Sequence, residues 1–435
     1  MVKLSKTNLS RGGGELCFAL LVLAVNVLAV HAASPEIADV SIGQSGSKLV
    51  INYKLKNAPA IVTFDLYKDA TEESDGVRID PALLDNASGD CHALIQPDAS
   101  QNRRILWQYA KKGLEPGNLQ KLKARVTAWA TNAPPWYMSV DLRPATPAAL
   151  RRRYYASADD VPGGVTNDMY KITHLLMRRI PAAGVEWVMG KEDRPELHTR
   201  HAVVLTRDYY IAVYEATRGQ WATLNGNALP ENPKYPVNQS YDALFGQNSP
   251  YPDSLDVPSG VGMTAWRNGT GIMSLTLPTD AQWEYASRAG RASRCPWGPD
   301  NLKTPDNTYD PVVMTNYANW GTQSLEDVGR RLPNDYGLYD TLGNTSEWVR
   351  DWQSEGDNYF ETFQEQMLAG MPVVDPVGVS KEKASKASNV AARTTRGGHY
   401  HSYWSYIDCA FRNWYPPNSA GADWGYRLCC AVPGL

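Results

Sequence analysis

The segment of this 435-residue chain with the most chemistry in it is His399-Tyr-His-Ser402, in which two imidazoles alternate and a hydroxyl follows. On an extended strand, residues two apart point to the same side, so His399 and His401 could approach one metal ion. The sequence places no third ligand beside them. A histidine next to Ser402 could activate the hydroxyl, but no acid is placed to orient such a base. Ordinary pocket lining is the simpler reading, and no catalytic residue is assigned. Beyond the first 32 residues lie five cysteines, Cys91, Cys295, Cys409, Cys429 and Cys430. An odd number cannot pair completely within one chain, and the absence of CxxC or Cys/His spacing argues against structural zinc. Asp408 beside Cys409 disfavours a thiolate. Cys429 and Cys430 read as small buried residues, and His198 and His201 as surface or strand-edge residues.

The elements that must position these groups divide the chain. Hydrophobic content of 43% with 20% charged residues suits a folded protein of more than one domain. A formal net charge of −3 with scattered basic residues gives no phosphate-binding face, so nucleic acid is not expected as a partner. Residues 1–32 read as a signal peptide: Lys3, Lys6 and Arg11, then an apolar run, then Ala32 and Ala33. The run is too short to span a membrane, so a secreted or extracytoplasmic location, periplasm or cell surface, is expected. Residues 33–142 read as an all-β sandwich of the immunoglobulin or fibronectin kind. Leu49, Ile51, Tyr53 and Leu55 alternate, as do Leu122, Ala124, Val126 and Ala128, with further strands expected at 60–66, 104–109 and 136–142. Residues 143–167, with several prolines, Arg151–Arg153 and a Gly-Gly pair, read as a solvated linker. Residues 168–435 form a loop-rich second domain. There Thr279 should cap a helix with Gln282 completing a capping box, Gly290 ending it and Trp283 and Ala286 facing inward. A second short helix is expected over 239–245.

Several phrases of the C-terminal part occur in a recognisable order. They include Ile180-Pro-Ala-Ala-Gly-Val-Glu-Trp-Val-Met-Gly190, Leu277-Pro-Thr-Asp-Ala-Gln-Trp-Glu-Tyr285, Pro296-Trp-Gly298, Tyr336-Gly-Leu-Tyr-Asp340, Gly343-Asn-Thr-Ser-Glu-Trp348, Arg396-Gly-Gly398, Cys409-Ala-Phe-Arg412 and Gly425-Tyr-Arg-Leu428. Together they resemble the sulfatase-modifying-factor, or formylglycine-generating enzyme, family. The resemblance implies an irregular α+β domain related to C-type lectins. It also implies a structural calcium site in which Asp340 gives its side chain and Thr341, Gly343 and Thr345 their carbonyls, oxygen donors of the kind calcium prefers. A second family calcium site begins at Asn319 and Trp320, but Glu326 and Asp327 are its only available acids. The family's enzymes oxidise a substrate cysteine using two copper-binding cysteines soon after Arg-Gly-Gly. Here Ser402 stands at the first of those places and no cysteine at the second, so copper is not expected, because copper(I) selects sulfur. Cys409 matches a later structural cysteine whose family partner would lie at Ser287, leaving Cys295 as the substitute for a Cys295–Cys409 disulfide. The resemblance then implies a ligand pocket of Tyr400, His401, Ser402, Trp404 and Arg412. The expected function is binding of a peptide, protein or carbohydrate there. The alternative is an active sulfatase-maturation or other protein-modifying oxidoreductase.

Overall fold

In the strand Lys48–Lys56 the alternate residues Leu49, Ile51, Tyr53 and Leu55 are buried, and in Ala60–Lys68 Ala60, Val62, Phe64 and Leu66 are. Period-two burial of this kind requires each strand to hide one face. They do so against each other. The computed structural model describes residues 33–432 apart from 72, 114–120, 192–199, 247–260, 299–309, 354–357, 382–383 and 385–390. One antiparallel sheet runs Glu36–Ser45, Lys48–Lys56, Arg103–Trp107, Ser88–Gly89; the other runs Val77–Arg78, Ala60–Lys68, Leu94–Ile95, with Lys123–Ala130 also paired to Ala60–Lys68. Ile105, Trp107 and Tyr109 fill the space between them, and the Trp107 indole donates to the Leu83 carbonyl at 2.9 Å. The signal peptide expected over residues 1–32 lies outside the described residues.

The strand expected over 136–142 is present as Tyr137–Asp141, but it does not join those sheets. It is the second strand of a five-stranded antiparallel sheet ordered Arg152–Tyr155, Tyr137–Asp141, His174–Ile180, Tyr209–Ala212, Cys429–Ala431. All five of its residues are buried, which a half-buried sandwich strand would not allow. The solvated face read for Arg151–Arg153 is corrected too. Arg152–Tyr155 is a strand, Tyr154 is in the main core, and the buried Arg153 guanidinium donates to the carbonyls of Asp85 at 2.6 Å and Ala87 at 2.8 Å. Ile61 of the N-terminal sheets belongs to the same core as Met138, Tyr210 and Trp266. Residues Ser34–Leu435 accordingly form one unit. Arg153→Ala strands two buried carbonyls, each worth about 1–3 kcal/mol. Urea unfolding should therefore show a lowered midpoint with a single transition retained; an unchanged midpoint would refute this role for Arg153.

Among the described residues there are two smaller sheets, and the first of them carries the site. One runs Arg412–Tyr415, Ala392–Arg396, Ser346–Gln353, Trp424–Gly425, and the other Val185–Met189, His201–Leu205, Val373–Val374. Of the surface or strand-edge reading, His201 meets the second half only, buried at the first position of its strand, while His198 lies outside the described residues. The capped helix forms as Asp280–Arg288, with both halves of the Thr279/Gln282 capping box made and Trp283 and Ala286 buried. The second short helix forms as Tyr241–Phe245 behind the Ser240 cap. A helix at Arg218–Leu224 has the same device, Thr217 with Gln220. Among the described residues no helix is long and apolar enough to cross a membrane.

Candidate functional site

Between Asp340 and the strand Ser346–Gln353 the backbone makes a tight turn, with Asp340, Gly343 and Asn344 at φ of 52°, 79° and 58°. Only glycine fits at 343, where a Cβ would meet the Asn319 carbonyl oxygen at 2.3 Å. The turn brings several carboxylates together out of water. Asp340 is buried; its Oδ2 accepts the Gly329 N–H at 2.6 Å, while its buried Oδ1 has no hydrogen-bond donor. Glu215 is fully buried, accepting from the Asn344 side chain at 2.7 Å, the Thr345 N–H at 3.0 Å and the Thr345 hydroxyl at 2.5 Å. Glu347 accepts the Trp283 indole at 2.7 Å and pairs with Arg427 at 2.6 Å. Arg427 also donates to the carbonyls of Ala212, Val213, Tyr339 and Asp340.

One guanidinium thus faces three buried acids, and two of them, Glu215 and Asp340, are shifted toward the protonated form. Burial, then Asp340 and Glu347, push Glu215 well above the ordinary carboxylate range; burial, then Glu326 and Glu347 working against the Gly329 bond and Arg427, pushes Asp340 up to about 7. Such a turn could hold a proton or a hard cation. Glu215 was not anticipated from sequence. Its signal was an acid inside the apolar run Tyr209–Ala216, which only a buried partner explains. The only acids available to a second calcium site are otherwise engaged: Glu326 pairs with Arg331 at 2.6 Å and Asp327 with Lys234 at 3.2 Å.

The candidate pocket begins where the strand Ala392–Arg396 ends. Gly397 and Gly398, at φ of 88° and 70°, turn the chain out of the sheet, so His399 and His401 lie in a turn and not on a strand. Their rings still converge, with centroids 4.1 Å apart. Ser402 closes the turn: its N–H donates to the His399 carbonyl and its Oγ accepts the His399 N–H, both at 2.9 Å. It is buried, so it shapes the pocket from beneath instead of lining it. Tyr400 is half-buried against His401 at 4.7 Å, and Trp404, Tyr403 and Tyr406 are exposed, with Tyr406 stacked on Phe411. Asp423 reaches the same place from another segment, 3.6 Å from His401 Nδ1.

Arg412 does not belong to this group. Its side chain is 1% exposed and paired with Asp280, near Glu284, so the cation expected in the pocket is consumed inside the core. The Cys295–Cys409 bridge is likewise not formed. Cys409 Sγ lies 3.2 Å from Ser287 Oγ, while Cys295 Sγ points to the Ile407 carbonyl at 3.8 Å. Burial pushes the Cys409 thiol up to about 12. Cys429 and Cys430 are buried on opposite faces of their strand, each in a different core.

The model of the sulfatase-modifying factor enzyme 1-like domain matches residues 177–432, more than half of the chain, and the chain belongs to that family. The formylglycine-generating enzyme of Mus musculus is 32% identical over 168 residues, 37% of this chain and 39% of that protein. That of Streptomyces coelicolor is 35% identical over 161 residues, 35% of this chain and 45% of that protein. A serine/threonine-protein kinase pkn1 of Chlamydia pneumoniae is 29% identical over 173 residues, 38% of this chain and 23% of that one. The chain spans less than half the length of these curated relatives. Among solved structures, Treponema denticola variable protein 1 is similar at a TM-score of 0.43 and 20% identity, covering 60% of this chain and 96% of that one. PvdO from Pseudomonas aeruginosa is similar at 0.44 and 19%, covering 59% and 95%.

Proposed function

We propose that this protein is an exported member of its family that binds a peptide, protein or carbohydrate in the aromatic pocket and does not carry out copper-dependent oxidation of cysteine. The observation that carries this reading is Ser402. Where the resemblance puts the first copper-binding thiolate, the side chain is a hydroxyl already accepting the His399 N–H, and hydroxyl oxygen is a poor ligand for copper(I). Cys409 is a buried thiol facing Ser287. Tyr400, Tyr403, Trp404 and Tyr406 offer aromatic faces with polar tips, the surface that ligand-recognition sites favour. In this reading the two N-terminal sheets are an immunoglobulin- or fibronectin-like sandwich acting as a spacer or second binding surface. Calcium is a structural ion held by Asp340 with the carbonyls of Thr341, Gly343 and Thr345. The unpartnered Asp340 Oδ1 supports that assignment, and calcium there would supply charge balance to the turn.

Incubation with a cysteine peptide of the sulfatase type, copper and oxygen tests the reading. No aldehyde should form and no oxygen should be consumed. Aldehyde produced at a rate proportional to protein would instead establish the oxidoreductase alternative.

A further inference from the structure

We propose that His399, His401 and Asp423 form a binding site for one divalent transition-metal ion of the zinc class, with a coordination position left open toward the exposed aromatic residues. The third ligand, which the sequence could not supply, comes from the segment just before the strand Trp424–Gly425. That segment is anchored where the Asp423 carbonyl accepts the Ser346 N–H at 2.8 Å.

The first support is convergence: one ligand atom from each of the three residues lies within 4.8 Å of the other two. Around a tetrahedral ion with bonds of about 2.0–2.1 Å the donors sit about 3.3 Å apart. His401 Nδ1 and Asp423 Oδ1, at 3.6 Å, are already close to that separation. The second support is one unsatisfied ligand atom. His399 Nδ1 is buried with no hydrogen-bond partner, an arrangement that costs free energy unless something fills it. The third is the graded exposure: His399 is half-buried, while the side chains of His401 and Asp423 are 47% and 28% exposed. The inner ligand is thus fixed by its turn, and the outer two can close the remaining gap once an ion enters from solvent.

Ligand chemistry selects the metal. Two imidazoles with one carboxylate suit zinc, iron(II) or cobalt(II), whereas calcium and magnesium prefer all-oxygen shells. Three protein ligands leave a tetrahedral ion one position for water or for a donor group of a bound molecule. Tyr400, whose ring lies 4.7 Å from His401, would flank it.

The test is made on the untagged full chain, stripped of metal and then held in saturating calcium so that any oxygen-rich site is filled. Titration with Zn²⁺ by calorimetry should give one ion per chain, and Co²⁺ should give the intense visible absorption of a tetrahedral site. His399→Ala and Asp423→Ala should each weaken zinc binding by at least about tenfold and abolish the cobalt spectrum, while melting temperatures in calcium alone stay at the wild-type value. Absence of zinc binding to the wild-type chain, or equal binding to wild type and both variants, overturns the proposal. No peptide or sugar enters the experiment, so its outcome is independent of which ligand the pocket takes.

Discussion

Arg396→Ala should lower the unfolding free energy by about 3–5 kcal/mol, the cost of removing one partner from a buried ionic network. Arg396 is fully buried, 2.7 Å from Asp280 Oδ1; it also donates to Glu284 Oε2 and, at 2.5 Å, to the Phe411 carbonyl. Glu284 accepts from the Gly190 N–H at 2.8 Å and from Arg288 at 2.9 Å. Burial opposes charge on Glu284, but Arg288, Arg396 and Arg412 outweigh it and hold the carboxyl at about 2. A carboxyl depressed on folding contributes stability above its unfolded pKa, about 4.3, and that stability fades as pH falls toward 2. In the alanine variant Glu284 loses one of three cations, so acid unfolding should begin at higher pH as well. Arg396→Lys keeps the charge without the planar fork and should fall between the two. Urea titrations at pH 7 and acid titrations followed by tryptophan fluorescence measure both effects. A loss under about 1 kcal/mol for the alanine variant would mean that the network is energetically neutral.

Chelating calcium should lower the melting temperature by several degrees, and Asp340→Ala should erase that dependence. A ligand at about 100 times its Kd stabilises the folded state by about 2.7 kcal/mol. Magnesium should substitute poorly, because its near-octahedral demand is not met by a backbone turn. His399→Ala should leave the calcium increment intact, which separates this site from the imidazole site. Scanning calorimetry with excess chelator, calcium or magnesium gives the comparison. Equal calcium increments in wild type and Asp340→Ala would remove the ion from this turn.

How far these features are legible from sequence depends on how local their causes are. The Thr279 helix is readable because cap, box and stop lie within a dozen residues and need no tertiary partner. Thr217 with Gln220 carries the same signature, but the helix begins Arg218-Gly219, and a glycine so early masks the pattern. The strand Tyr137–Asp141 is legible as a strand but not in its pairing, since His174–Ile180 and Arg152–Tyr155 claim it only in three dimensions. At the site, His399 and His401 are visible as a pair, whereas Asp423 arrives through the strand Trp424–Gly425 lying parallel to Ser346–Gln353. Arg412 is the converse case. A cation beside aromatic residues suggests a pocket, and only the fold reveals that Asp280 lies behind it.

The N–H of Tyr400 donates to the Asn344 carbonyl at 3.0 Å, and the Tyr400 carbonyl accepts the Thr322 N–H at 2.8 Å. The backbone beneath the aromatic residues is therefore pinned to the acid-rich turn by a strut one peptide long. Asn344 in turn holds Glu215 through its side-chain amide, so Tyr400 and Glu215 share one residue as their link.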